Sequence, residues 1–152
     1  MFIYDFVTLD RPFGAVADSL TADPGGGPLS WAVAATRARL GSNNGRAHPG
    51  ELEVGAPRSF DDSVVLPIRW TPGPWRGPFE HLDGLVQVAP FDPDGSHLSV
   101  SVSCDEPRTG LGRRRDSQRL QRQTEAGVRM LLRELAVAIE HEDSSQRKEP
   151  TT

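Results

Sequence analysis

The clearest periodic pattern in the chain is an alternation of apolar and small polar residues around position 100. Leu98, Val100, Val102 and Cys104 alternate with three intervening serines. A period of two places the two sets on opposite faces of a β-strand. The run therefore predicts a strand that covers a core with its apolar face and turns its serines outward, as strands of antiparallel sheets commonly do.

Further strands are predicted at the N-terminus and in the middle of the chain. Residues 2–9 are rich in aromatic and β-branched types, which fit a pleated surface. Four later runs have strand character, and the third of them is less regular than the others. These runs are residues 51–56, 66–70, 82–89 and 98–104.

Three segments carry the signals of helices. Residues 15–22 and 29–40 predict two short helices, with Pro28 suited to a first turn and Gly41 to a C-terminal stop. Residues 111–142 predict a long amphipathic helix, because their apolar positions recur at spacings of three and four. The residues on that face are Leu120, Thr124, Val128, Leu131, Leu135 and Ile139.

The chain of 152 residues has the length of one domain. We expect that domain to span residues 1–143 and a polar, disordered tail to span 144–152. The 21 acidic residues outnumber the 17 basic ones, giving a net charge of −4. This balance excludes a general nucleic-acid binder, so no nucleic-acid partner is expected.

Cys104 is the only cysteine in the chain. One thiol excludes an internal disulfide and a cysteine-rich zinc site, and it favours a reducing compartment. The N-terminal residues lack the basic start and apolar run of a signal peptide. No apolar run approaches the roughly 20 residues of a membrane span. We therefore expect a cytoplasmic location and no membrane span.

The order of the elements, together with residues 60–140, resembles the START-like or SRPBCC superfamily. The likeness is greatest to small actinobacterial members labelled polyketide cyclase/dehydrase-like. The residues that carry it are Ile68-Arg69-Trp70, Leu82 to Pro90, Leu98 to Cys104, Glu106-Pro107, Gly110 to Gly112, and Val128, Leu131 and Leu132.

The resemblance implies an α+β, helix-grip fold of START/Bet v 1-like type. In this fold a curved antiparallel sheet wraps a long C-terminal helix, and two short helices follow the first strand. Fuller members have six strands between the helix pair and the long helix, whereas the pattern here predicts four. Either the grip is shallower in this chain or a further strand lies within 42–60 or 71–81.

Proteins of this fold mostly enclose apolar ligands between the sheet and the long helix, which implies a candidate cavity wall. Apolar side chains in these positions either line a ligand cavity or fill a core at normal packing density. The candidate wall residues are Leu66, Ile68, Trp70, Val100 and Val102 on the sheet, and Leu120, Val128, Leu131 and Leu135 on the helix.

The leading hypothesis is therefore non-enzymatic binding of a hydrophobic small molecule or lipid. A first alternative is a structural or interaction protein with a filled core and a basic helix face. Arg115, Arg119 and Arg122 are spaced by four and three and share one helical face, which suits an anion or an acidic partner. The same arginines would also suit a solvated surface paired with acids.

A second alternative is a polyketide cyclase- or aromatase-like enzyme, as some relatives are. It requires an ionisable group inside the cavity, and the candidates are Tyr4, His81 and Arg69. No residue is predicted to be catalytic in its own right. The four histidines are scattered, and no metal or cofactor site is expected.

Two further points concern partners. Trp75 lies in a loop rich in proline and glycine, where it could cap a cavity mouth, meet a partner or pack locally. The oligomeric state is open between monomer and dimer, because an exposed edge strand would permit dimerisation.

Overall fold

A computed structural model describes residues 2–22, 27–42, 51–71, 82–103 and 113–147. Within these ranges the chain forms six strands and three helices. In chain order they are β1 (Phe2–Leu9), α1 (Phe13–Thr21), α2 (Gly27–Ser42), β2 (Glu51–Val54), β3 (Arg58–Phe60), β4 (Ser63–Thr71), β5 (Leu82–Asp92), β6 (Gly95–Ser103) and α3 (Arg113–Arg147).

All six strands belong to one antiparallel sheet. Its order is β1-β6-β5-β4-β2, and β3 also pairs with β4. In the registers, Val86 of β5 lies opposite Val100 of β6, and Ile3 of β1 lies opposite Val102. The sheet therefore aligns inward-facing residues of neighbouring strands in rows, which is how cross-strand side chains come into contact.

Five strands follow the helix pair in the described residues, whereas the sequence pattern predicts four. The additional strand lies in one of the two intervals where a further strand was expected. This strand, β3, falls within 42–60, and both β2 and β3 pair with β4. Pro67 of β4 lies between the two paired segments, and its carbonyl accepts a 2.7 Å hydrogen bond from the Gly55 amide. In an antiparallel ladder, the N–H and C=O groups of one residue point toward the same neighbouring strand. The amide that Pro67 lacks would therefore face the gap between β2 and β3, and no ladder bond is lost.

The helices occur where the sequence predicts them, but their ends differ. The expected stop at Gly41 is wrong, because α2 continues to Ser42. Glycine can adopt helical dihedrals at a cost of about 1 kcal/mol, so it does not by itself end a helix. The long helix, α3, continues to Arg147, four residues into the segment 144–152 that the sequence predicts as a polar tail.

The core lies between one face of the sheet and the helices. Helix α3 packs mainly against β1, β6 and α2, while α1 packs against β5 and β6. The face of the sheet that meets the helices is called the inner face below, and the opposite one the outer face. The buried residues of the inner face are Ile3, Leu9, Val64, Leu66, Ile68, Val86, Val88, Leu98, Val100 and Val102.

Arg11 joins the N-terminal segment to both layers. Its guanidinium donates a 2.8 Å hydrogen bond to the carbonyl of Ile139 on α3. Its own carbonyl accepts a hydrogen bond from the Ser96 hydroxyl at the start of β6. The connection between β1 and α1 is thereby attached to the helix and to the sheet.

Candidate functional site

The candidate site is built on two rows of residues that cross β4, β5 and β6 on the inner face. One row is Leu66, Val86 and Val100, and the other is Ile68, Gly84 and Val102. Strand periodicity directs all of these positions to the same side of the sheet. The five that carry side chains are buried, so the rows present an almost purely apolar surface to the interior.

The facing surface comes from α3. Val128, Leu131 and Leu135 are spaced by three and four, which places them on one side of the helix. All three are buried and belong to the same hydrophobic cluster as the two rows. The structure thus brings together seven of the nine predicted wall residues, whereas the side chains of Trp70 and Leu120 lie outside the described ones.

Gly84 occupies the centre of its row and was not among the predicted wall residues. A Cβ added there would collide with the carbonyl oxygen of Ser101 and lie 3.1 Å from Val102 Cγ2 and 3.3 Å from Ile68 Cγ1. A glycine inside a strand-like run often marks a close approach of backbones. That signal was present in the sequence within the run 82–89.

The helices contact different strands of the inner face. The main strand contacts of α3 are with β1 and β6, and those of α1 are with β5 and β6. Leu66 and Ile68 lie on β4, the next strand along the sheet, and both are buried. Leu66 and Ile68 therefore belong to the buried apolar layer beside the strands that α1 and α3 mainly contact.

Two of the proposed interior ionisable groups lie on the outer face instead. Tyr4 is half exposed, and its hydroxyl forms a 3.2 Å hydrogen bond with Nε2 of His97. Arg69 donates from Nε to Oδ1 of Asp83 at 2.8 Å, and this hydrogen bond and the charge of Asp83 raise the pKa of Arg69. The hypothesis that Tyr4 or Arg69 supplies a polar group inside the cavity is therefore wrong. His81 lies outside the described residues.

Asp5 is an ionisable residue on the inner face that the sequence analysis did not single out. It lies between Ile3 and Val7 on β1 and is half-buried. Its Oδ1 accepts a 2.9 Å hydrogen bond from the Phe6 amide, and its Oδ2 lies 3.7 Å from Nε of Arg129 on α3. Both carboxylate oxygens thus have partners at the border between β1 and the helix.

The remaining candidates are only partly covered by the structure. Arg122 is exposed, while the side chains of Arg115 and Arg119 lie outside the described ones, so the basic helix face stays a prediction. Trp75 and Cys104 also lie outside the described residues.

In the described ranges, no three histidine, cysteine, aspartate or glutamate residues cluster as a metal site would require. None of the helices in these ranges is both long enough and apolar enough to cross a membrane.

No family model matches the chain, and no curated protein matches it in sequence. Its likeness to known proteins lies in the fold. The hypothetical protein jhp0584 from Helicobacter pylori gives a TM-score of 0.52 at 14% identity, over 90% of this chain and 86% of that one. The ZhuI aromatase/cyclase from Streptomyces sp. R1128 gives 0.50 at 13% identity, over 92% and 93%.

A third solved structure is the di-domain ARO/CYC protein BexL. It gives a TM-score of 0.50 at 11% identity, over 92% of this chain and 46% of BexL. The chain thus has an α+β helix-grip fold, with a curved antiparallel sheet and a C-terminal helix. The fold expected from the resemblance is confirmed.

Proposed function

We propose that the chain binds a hydrophobic small molecule or lipid between the inner face of its sheet and α3, without catalysing a reaction. The observation that carries the proposal is the apolar character of the buried layer between the sheet and α3. Leu66 and Val100 on the sheet and Leu131 on the helix are buried in one cluster. Enclosing an apolar ligand there would remove its apolar surface from water. This burial would favour binding by roughly 25 cal/mol for each Å² removed from water.

The positions of Tyr4, Arg69 and Asp5 favour binding over catalysis. ZhuI is an aromatase/cyclase, and a fold of this kind can host unrelated functions on the same scaffold. An enzyme would need a group that can exchange a proton with the ligand. Tyr4 and Arg69 point to the outer face, and the carboxylate of Asp5 is engaged by Phe6 and Arg129.

Native mass spectrometry of the protein purified from its own host tests this proposal, with solvent extraction of any bound compound. We expect a stoichiometric apolar adduct that identifies the ligand class. A bare protein mass, together with no uptake from a panel of fatty acids and polyketides, would contradict the proposal and favour a filled core.

A matched pair of tryptophan variants locates the adduct. Leu66→Trp adds bulk to the proposed cavity, so we expect it to abolish the adduct while cooperative unfolding is retained. Leu85→Trp places the same side chain on the outer face of the neighbouring strand, where Leu85 is already exposed, and should leave the adduct intact. If Leu66 instead lies in a filled core, Leu66→Trp overpacks it and destabilises the fold by about 1–3 kcal/mol.

A further inference from the structure

Among the described residues, β1 is an edge strand of the sheet. In the part of the chain that the structure describes, it pairs with β6 and with no other strand. The Phe6 amide donates to the carboxylate of Asp5, which shows that this amide points away from β6. Hydrogen-bonding direction alternates along an antiparallel strand. The N–H and C=O groups of Phe2, Tyr4, Phe6 and Thr8 therefore face the open edge.

The composition of β1 would favour pairing with another strand. Its sequence is FIYDFVTL, which contains no proline and only one charged residue, Asp5. Phe2 is 67% exposed, and Tyr4 and Phe6 are each 51% exposed on the outer face. A long apolar edge strand of this kind is a template for association unless something blocks it.

The contacts of Asp5 oppose such pairing. Its Oδ1 already accepts the hydrogen bond that the Phe6 amide would otherwise offer to an incoming strand. Arg129 of α3 holds the other oxygen on the inner side of the sheet. A strand added beside β1 would have to displace the first contact and remove a half-exposed carboxylate from water, which is unfavourable for an ionised group.

The most direct partner for β1 is the same strand of a second copy. A two-fold antiparallel pairing that continues the sheet places side chains of the same face opposite each other. If the pairing is centred on Asp5, two carboxylates lie directly opposite. If it is centred on Phe6, Asp5 lies opposite Val7, and if on Tyr4, opposite Ile3. In each of these three registers, the Asp5 carboxylate therefore lies opposite either a second carboxylate or an apolar side chain.

We propose that Asp5 protects the β1 edge from antiparallel pairing with a second copy of the chain. Sedimentation velocity over a wide concentration range tests the proposal with the full-length protein. We expect Asp5→Ala to raise the apparent association constant at least about tenfold over wild type, which corresponds to about 1.4 kcal/mol. Asp10→Ala removes the same charge from an exposed residue just beyond β1 and should behave as wild type.

A second substitution identifies the surface involved. Phe6→Pro removes the open-edge amide, and proline is tolerated on edge strands. The double variant Asp5→Ala/Phe6→Pro should therefore return to the wild-type state. If Asp5→Ala does not fold, as judged by circular dichroism, Asp5→Asn removes the charge but keeps the acceptor for Phe6. It should still associate more than wild type.

Three results would overturn the proposal. The folded Asp5 variants could sediment as wild type does. Their association could persist in the double variant, which would place it elsewhere than the β1 edge. Finally, wild type could itself associate and lose that association on Phe6→Pro, which would show that Asp5 does not protect the edge.

Discussion

The two faces of the sheet are formed by the same strands, yet they differ sharply in how they are covered. On the inner face, Leu98 and Val100 are fully shielded by the helices. On the outer face of the same sheet, Phe2, Tyr4 and Phe6 remain half or more exposed. For these five residues, burial therefore follows the side of the sheet that the helices cover, and not the hydrophobicity of the residue type.

Aromatic contacts among neighbours cover part of the outer face. Phe6 stacks on His97 with ring centroids 4.7 Å apart and an interplanar angle of 14°, and Tyr4 lies 6.1 Å from Phe6. Such pairs contribute about 0.5–1.5 kcal/mol beyond simple burial. The two faces thus differ in what covers them, because helices shield the inner face while side chains of the sheet itself cover part of the outer face.

The largest expected effect contrasts one leucine from each face. Leu98→Ala removes fully buried methyl groups from β6, so we expect a loss of about 2–5 kcal/mol in the free energy of unfolding. Leu85→Ala changes an outer-face residue that is 41% exposed and should change that free energy by about 0.5 kcal/mol. Urea unfolding of both variants measures the difference. Equal losses would show that the outer face is covered in solution.

Two glycines provide the next contrast. Gly84→Ala places a methyl group against the Ser101 carbonyl, which belongs to the paired strand and cannot move without disturbing the ladder. We expect it to lower the free energy of unfolding by about 1–3 kcal/mol. A Cβ at Gly14 of α1 meets no atom within 4 Å, so Gly14→Ala should be neutral or stabilise the protein by up to about 1 kcal/mol. A neutral Gly84→Ala would contradict the close approach of β5 and β6.

Most of the fold could be predicted from the sequence because its elements carry strong periodic signals. The alternation around Val100 predicts β6, and the three-four spacing around Leu131 predicts α3. Strand β3 could not be recognised in this way. It has only three residues, and all of them are exposed, so no apolar alternation marks it. Its pairing with residues 63–65 of β4 is a tertiary feature.

The candidate site was predicted less completely, and β1 shows the reason. Both faces of this strand carry apolar residues, since Ile3 and Leu9 point inward while Phe2, Tyr4 and Phe6 point outward. Its alternation therefore does not show which face meets the core. The only charged residue of β1 is Asp5, and a charged side chain normally marks the solvent-facing side of a strand. In the structure, however, Asp5 lies on the inner face. The position of Tyr4 required the pairing of β1 with β6 and the docking of α3.

The smallest expected effect concerns the ion pair between Arg69 and Asp83 on the outer face. The pair is exposed on both sides, and solvent-exposed pairs contribute little to stability. Arg69→Gln should therefore leave both the unfolding temperature and any apolar adduct close to those of wild type. Arg58→Gln, which changes an exposed arginine on β3, is the matched control.

The pKa of Arg69 is raised in the folded state, so its contribution to stability is present below the unfolded pKa and is lost only as the pH rises through the still higher folded value. Both values lie far above neutrality, so the difference between variant and wild type should be constant between about pH 6 and 8. A loss of ligand binding in Arg69→Gln but not in Arg58→Gln would contradict the assignment of Arg69 to the outer face.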